Sequence, residues 1–110
     1  MAGVGGISEA RFLPRIAALW GVMPTFHVWN SPLVAVATLH LLANQEPWRA
    51  LSMDPQAPPL EFTTMPNPMR EELLVGAPSV GPDGQLPLPA GAGLGVDVAL
   101  DALRAYALEV

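Results

Sequence analysis

The feature that narrows this chain most is a strand–helix–strand spacing between residues 22 and 62. The run Gly21-Val-Met-Pro-Thr-Phe-His27-Val-Trp-Asn-Ser31-Pro32 predicts a short buried strand over Val22–Phe26. Ser31 then suits a helix N-cap and Pro32 the first helical position, where a missing N–H is tolerated. A second strand is predicted in Pro59-Leu60-Glu61-Phe62. A strand–helix–strand unit needs about 30 residues or more. Glu61 follows His27 by 34 positions, so the two fit adjacent strands of one parallel sheet. Each then stands at a strand's carboxyl end, which in α/β folds is the rim where side chains meet small molecules.

Around this unit the chain predicts shorter pieces. A first helix is expected over Ser8–Trp20, with Ser8 as cap, Glu9 near the positive end of the dipole and Gly21 as the stop. Phe12, Leu13, Ile16, Ala17 and Leu19 give it an apolar side, and Pro14 is expected to kink it. The helix from Pro32 to about Asn44 is apolar almost all round and is therefore expected to be buried on more than one side. Gln45–Pro59 reads as a loop broken by Pro47, Pro55, Pro58 and Pro59. Met65-Pro-Asn-Pro is a turn-rich connector to a short helix, Pro68–Leu74, with Arg70, Glu71 and Glu72 facing water. Residues 76–95 are rich in Gly and Pro, with a turn at Pro82-Asp83-Gly84 flanked by short extended runs. Val98–Leu108 reads as a closing amphipathic helix with Leu100, Leu103 and Leu108 inward.

Composition bounds the partners. A net charge of -5 leaves no basic footprint for nucleic acid. The absence of cysteine removes disulfides, thiolate metal sites and thiol nucleophiles together. Leu33–Ala43 is too short for a membrane span of about 20 residues. The first residues lack the basic and apolar regions of a signal peptide, so a cytoplasmic location is expected. Hydrophobic residues make up 51% and charged ones 14%, against about 25% charged in an average domain. A small domain has much surface for its volume, so this balance predicts a piece of a larger fold, or faces that pack on a partner.

Four stretches, in order, carry a resemblance. They are Gly5-Gly6-Ile7-Ser8-Glu9-Ala10, Pro24–Ser31 with its His-Val-Trp-Asn-Ser, and Leu60-Glu61-Phe62 followed by Met65-Pro-Asn-Pro-Met-Arg-Glu-Glu-Leu. The fourth is Ala92-Gly-Leu-Gly-Val-Asp-Val, running into Leu100-Asp-Ala-Leu-Arg-Ala-Tyr. Together they resemble the C-terminal part of enolase-superfamily enzymes, of the mandelate racemase and muconate lactonizing enzyme-like group, in its sugar-acid dehydratase branch. The resemblance implies an α/β fold, a C-terminal fragment of a (β/α)-barrel made of its last two strands and their helices. Residues 1–75 are then the barrel segment, from the end of the sixth unit through the seventh and eighth strands. Residues 76–110 are the extended segment and closing helix that return to an α+β capping domain.

Enolase-superfamily sites are known to combine a Lys or His base with Mg²⁺. The resemblance therefore implies a lyase or isomerase that removes the α proton of a hydroxy-acid or sugar-acid carboxylate. It places His27 as the seventh-strand catalytic histidine, base or acid toward the substrate. It places Glu61 as the eighth-strand carboxylate that binds or polarises the substrate carboxylate when protonated, and Trp29 in the substrate pocket. The aspartate that orients the family's histidine would fall just before Met1. The three metal-binding carboxylates, the second-strand lysines and the capping domain are likewise not among these residues. Mg²⁺ is thus expected for the complete enzyme, with no ligand from this chain. Activity is expected only with an upstream barrel half; the alternative is a non-catalytic, homo-oligomerising remnant of the fold.

Other polar residues have plainer expectations. His40, inside the apolar helix, is expected to be structural. Glu61, set among Pro, Leu and Phe, is expected to be partly buried with a partner, since an unpaired buried carboxylate is costly. Asp54, Asp83, Asp97 and Asp101 are dispersed and form no metal cluster. Gly91, Gly93 and Gly95 do not lie between a strand and a helix in a dinucleotide pattern.

Overall fold

A computed structural model describes residues 2–29, 31–46 and 57–108. After a 3-10 turn at Ala2–Val4, the elements are α1 (Ile7–Ala10), α2 (Leu13–Leu19), β1 (Phe26–Val28), α3 (Pro32–Ala43) and β2 (Leu60–Phe62). They continue with α4 (Pro68–Glu72), β3 (Leu74–Val75), β4 (Asp97–Val98) and α5 (Leu100–Ala105). The centre of the expected Gln45–Pro59 loop, Asp54 included, lies outside the described residues, as does Asn30.

The parallel pair predicted from spacing is present. Phe26 pairs with Leu60, His27 with Glu61 and Val28 with Phe62. Side chains alternate across a strand, and β1 follows that rule: Phe26 and Val28 are buried while His27 is exposed. α3 covers the buried face. Its Leu41 and Leu42 join Ala10 and Phe26 in one cluster, against which Leu60 packs. Buried positions run along most of α3, from Pro32 through Leu42, as its all-round apolar sequence predicts. Thr38 is fully buried, and its hydroxyl donates to the Val34 carbonyl at 2.6 Å, which removes the cost of an unpaired donor. Ser31 stands at the N-cap in extended backbone with Pro32 in the first turn, but its hydroxyl makes no capping bond.

The expected helix over Ser8–Trp20 is two helices. The chain turns at Arg11-Phe12, and Pro14 lies in the first turn of α2, where its fixed φ is already helical and its missing N–H removes no bond. Ser8 is inside α1, and Gly6 takes the cap position. α2 ends as the glycine predicts. Gly21 adopts φ 66, its N–H donates to Ala18 O at 3.1 Å, and that of Val22 donates to Ala17 O at 3.0 Å. This pair of bonds is the Schellman arrangement that closes a helix.

Beyond β2 the extended runs beside Pro82-Asp83-Gly84 do not form strands. The turn itself is closed by Gly84 N to Gly81 O at 3.0 Å and Gly81 N to Gln85 O at 2.8 Å. Pairing occurs at the base of the segment instead, where β3 and β4 run antiparallel with Leu74 opposite Val98. α5 is shorter than expected and carries no buried residue; Leu100, Leu103 and Leu108 are all exposed. His40, which is structural as expected, reaches across to this segment with Nε2 3.0 Å from Leu94 O. At the far end, Tyr106 donates its hydroxyl to Glu72 Oε2 at 2.9 Å. That bond to a carboxylate holds the phenol above its usual pKa.

Candidate functional site

The parallel register decides the geometry. His27 and Glu61 are partners in the ladder, so their side chains leave the sheet on the same face, opposite the face that Phe26 and Val28 bury. Their side chains meet: His27 Nδ1 lies 3.0 Å from Glu61 Oε1. Both remain open to solvent, at 56% and 69% exposed. Glu61 therefore has the expected partner but not the expected burial, because none of the described residues covers this face of the two-stranded sheet. His27 is also the middle residue of β1, since the strand spans Phe26–Val28 and not Val22–Phe26. Pro24 and the residues beside it run up to the ladder without joining it.

Trp29 stands at the edge of the same face. Its ring centre is 5.8 Å from that of His27, at an interplanar angle of 65°, an edge-to-face contact of the favourable kind. His27, Trp29 and Glu61 share a shallow hollow of about 200 Å³ with Val28, Phe62, Thr63 and Met65. Larger cavities lie elsewhere. One of about 350 Å³ sits between α3 and the segment carrying Val80 and Leu86, its mainly apolar lining interrupted by Thr63, Thr64, Arg70, Glu71 and Ser79.

The Nδ1–Oε1 contact has a chemical consequence. The carboxylate accepts the Nδ1–H, so the neutral imidazole carries its lone pair on Nε2, on the other side of the ring. Nε2 is thereby the ring nitrogen left to accept a proton. The arrangement can hold and move one proton.

Arg70 was not legible as part of this region. Expected to face water, it turns back onto the exit of β2. Its Nη1 donates to Thr63 O at 2.7 Å, its Nη2 donates to Met65 O, and its guanidinium stands 5.5 Å over the Phe62 ring. The expectation failed because a charged residue on a short helix normally gains most from solvation; here two loop carbonyls take its donors. Its neighbours Glu71 and Glu72 are exposed as expected, yet each accepts a hydrogen bond, from Asn67 N and from the Tyr106 hydroxyl.

Mg²⁺ requires a near-octahedral set of oxygens, with carboxylates among them. His27 and Glu61 offer one imidazole and one carboxylate. Among the described residues no group of three or more His, Asp or Glu is placed to hold a metal ion. The residues at this site do not fit Mg²⁺. No helix among the described residues is long and apolar enough to cross a membrane.

The parallel strand–helix–strand unit thus carries a histidine and a carboxylate in register on its open face. The chain belongs to the enolase C-terminal domain-like family, whose model matches residues 1–102. It is 32% identical over 106 residues to the D-galactarolactone cycloisomerase of Agrobacterium fabrum. That match takes in 96% of this chain and 28% of the relative's length. The resemblance to the C-terminal part of enolase-superfamily enzymes is thus borne out.

Proposed function

We propose that this chain supplies the closing strands of a (β/α)-barrel and, with them, a proton-transfer group, to a lyase or isomerase acting on hydroxy-acid or sugar-acid carboxylates. The observation that carries the reading is the in-register His27–Glu61 contact at 3.0 Å on the open face of the parallel pair. Membership of the enolase C-terminal domain-like family, and a relative named as a cycloisomerase, support the class of reaction.

In this reading α3 lies on the outside of the barrel and the face bearing His27 and Glu61 turns inward. Nε2 of His27 removes the proton from the carbon next to the substrate carboxylate; the C–H bond breaks and its electron pair passes into the carboxylate as an enediolate. The charge gained by the imidazole is balanced by Glu61. Glu61 then acts as the orienting partner of His27, a role that resemblance alone assigns to an aspartate outside these residues. Trp29 contributes an apolar wall. Binding groups for Mg²⁺ and the electrophile that receives the enediolate charge belong to the rest of the enzyme.

A second reading is favoured by a different observation. Leu19 and Trp20, at the end of α2, are 85% and 81% exposed, and large apolar side chains left open together mark a contact surface. A remnant that oligomerises through this end of α2 would have no catalytic role. One experiment separates the two. The chain is mixed with the N-terminal portion of the Agrobacterium relative, and α-proton exchange of sugar-acid carboxylates in D₂O is followed by NMR. Exchange is expected from the mixture, with a loss of about 100-fold or more in His27→Ala, the usual weight of a general base. Exchange that survives the substitution removes His27 from the role of base. A mixture that never exchanges, with a chain that self-associates until Trp20→Ser disperses it, supports the second reading.

A further inference from the structure

We propose that Arg70 is a positioning residue for the His27–Glu61 pair, a clasp that fixes the wall of their hollow from behind; the inference rests on the reading of that pair as the proton-transfer site. β2 has three residues, and its ladder with β1 ends at Phe62, one position past Glu61. A two-stranded sheet is marginal on its own. Something else must hold the chain where it leaves the ladder, or Glu61 cannot stay in contact with His27.

Arg70 meets that need from three directions. Its two guanidinium nitrogens bind the carbonyls of Thr63 and Met65, and its plane lies over Phe62. Phe62, Thr63 and Met65 are the residues that, with Glu61, form one side of the hollow. A rigid planar fork with several donors can engage two carbonyls at once, which a lysine ammonium on a flexible stem does not reproduce. The fork is itself anchored. Arg70 N donates to Asn67 Oδ1 at 3.2 Å, and Asn67 N donates to Glu71 Oε1 at 3.1 Å. These reciprocal bonds fix the first turn of α4 in the manner of a capping box. Within the loop, Met65 N donates to Thr63 Oγ1 at 3.3 Å. The path from Glu61 to α4 is therefore tied at both ends, with Arg70 as the tie that spans it.

The chain has two histidines, and this makes the test direct. The ¹H–¹⁵N imidazole signals of His27 and His40 are recorded for the full chain, for Glu61→Gln, and for Arg70→Ala. His40 bonds to Leu94, neither of them among the residues that line the hollow, and reports whether the fold is intact. In Arg70→Ala the His27 signals are expected to move toward their positions in Glu61→Gln while those of His40 stay. Unmoved His27 signals in a folded variant overturn the proposal. Where Arg70→Ala releases both histidines to their denatured positions, Arg70→Lys decides: it retains the charge but not the fork, and a smaller His27 shift in the same direction is expected, its absence overturning the proposal. With the exchanging mixture described above, Arg70→Ala is expected to lower kcat about 10- to 100-fold, the scale of a small misplacement, with KM little changed. A raised KM at unchanged kcat would make Arg70 a substrate-binding group instead. A wild-type mixture that does not exchange defeats the acid–base reading, while the histidine signals still judge the clasp.

Discussion

The β1–α3–β2 unit and the segment from Gly76 to Leu108 are of similar length and both rich in apolar residues, yet they bury them very differently. In the first, Phe26, Val28, Leu41 and Leu42 are all buried, with Val36 and Thr38 fully so. In the second, no residue from 76 to 108 is buried. The difference is one of continuity. α3 runs twelve residues without interruption and lays an apolar surface over a parallel pair. The later segment is cut by Pro and Gly into pieces as short as the two-residue β4, none of which presents a continuous face. Hydrophobic composition decides that a chain will bury surface; element length decides where it does so within its own fold.

The sharpest way to break this contrast is a matched pair of truncations. Leu41→Ala removes a side chain from the central cluster and is expected to cost about 2–5 kcal/mol in urea unfolding. Leu103→Ala, at a position 45% exposed, is expected to stay within about 0.5 kcal/mol. Equal costs would mean that α5 buries more than the structure gives it.

A smaller effect is expected from Gly95→Ala. Gly95 has φ +71, and a Cβ there would meet the Pro89 backbone at 3.0 Å. Left-handed backbone costs an L-residue about 1–2 kcal/mol. The loss should be local, read as faster amide exchange at Val98 and Ala99 with no change in α3. A change spreading into α3 would show that the two regions unfold as one.

The smallest effect concerns Tyr106. Its bond to Glu72 raises the phenol pKa in the folded state. A raised folded value means that the bond contributes stability fully below the unfolded value of about 10. The contribution is lost as pH climbs through the folded one. Since Tyr106 is the single tyrosine, its phenolate absorbance reports the titration directly. Glu72→Gln is expected to lower the midpoint; an unchanged midpoint would detach α5 from α4.

What was legible in the sequence tracks how local its cause is. Ser31-Pro32 marks a strand-to-helix boundary by stereochemistry alone, and the 34-residue spacing from His27 to Glu61 suffices to set two parallel strands side by side. Pro14 was ambiguous because the same ring that breaks a helix interior also starts a helix well, and the break at Arg11-Phe12 carries no glycine to betray it. The pairing of Leu74-Val75 with Asp97-Val98 spans more than twenty residues of turn-forming sequence, and two-residue strands leave no alternation to read. At the candidate site, the shared face of His27 and Glu61 followed from setting two parallel strands side by side. The partnership of His27 with Glu61 and the return of Arg70 depend on side-chain reach across a loop, which periodicity does not encode.

The contact between His40 and Leu94 carries one more consequence. A carbonyl oxygen can only accept, so His40 must present Nε2 with its hydrogen attached, 3.0 Å away. Imidazole keeps that hydrogen whether or not it gains a second one on Nδ1. The tether between α3 and the glycine-rich segment therefore fixes which ring nitrogen of His40 carries the hydrogen. Of the two histidines, one turns Nδ1 to a carboxylate and the other turns Nε2 to a carbonyl.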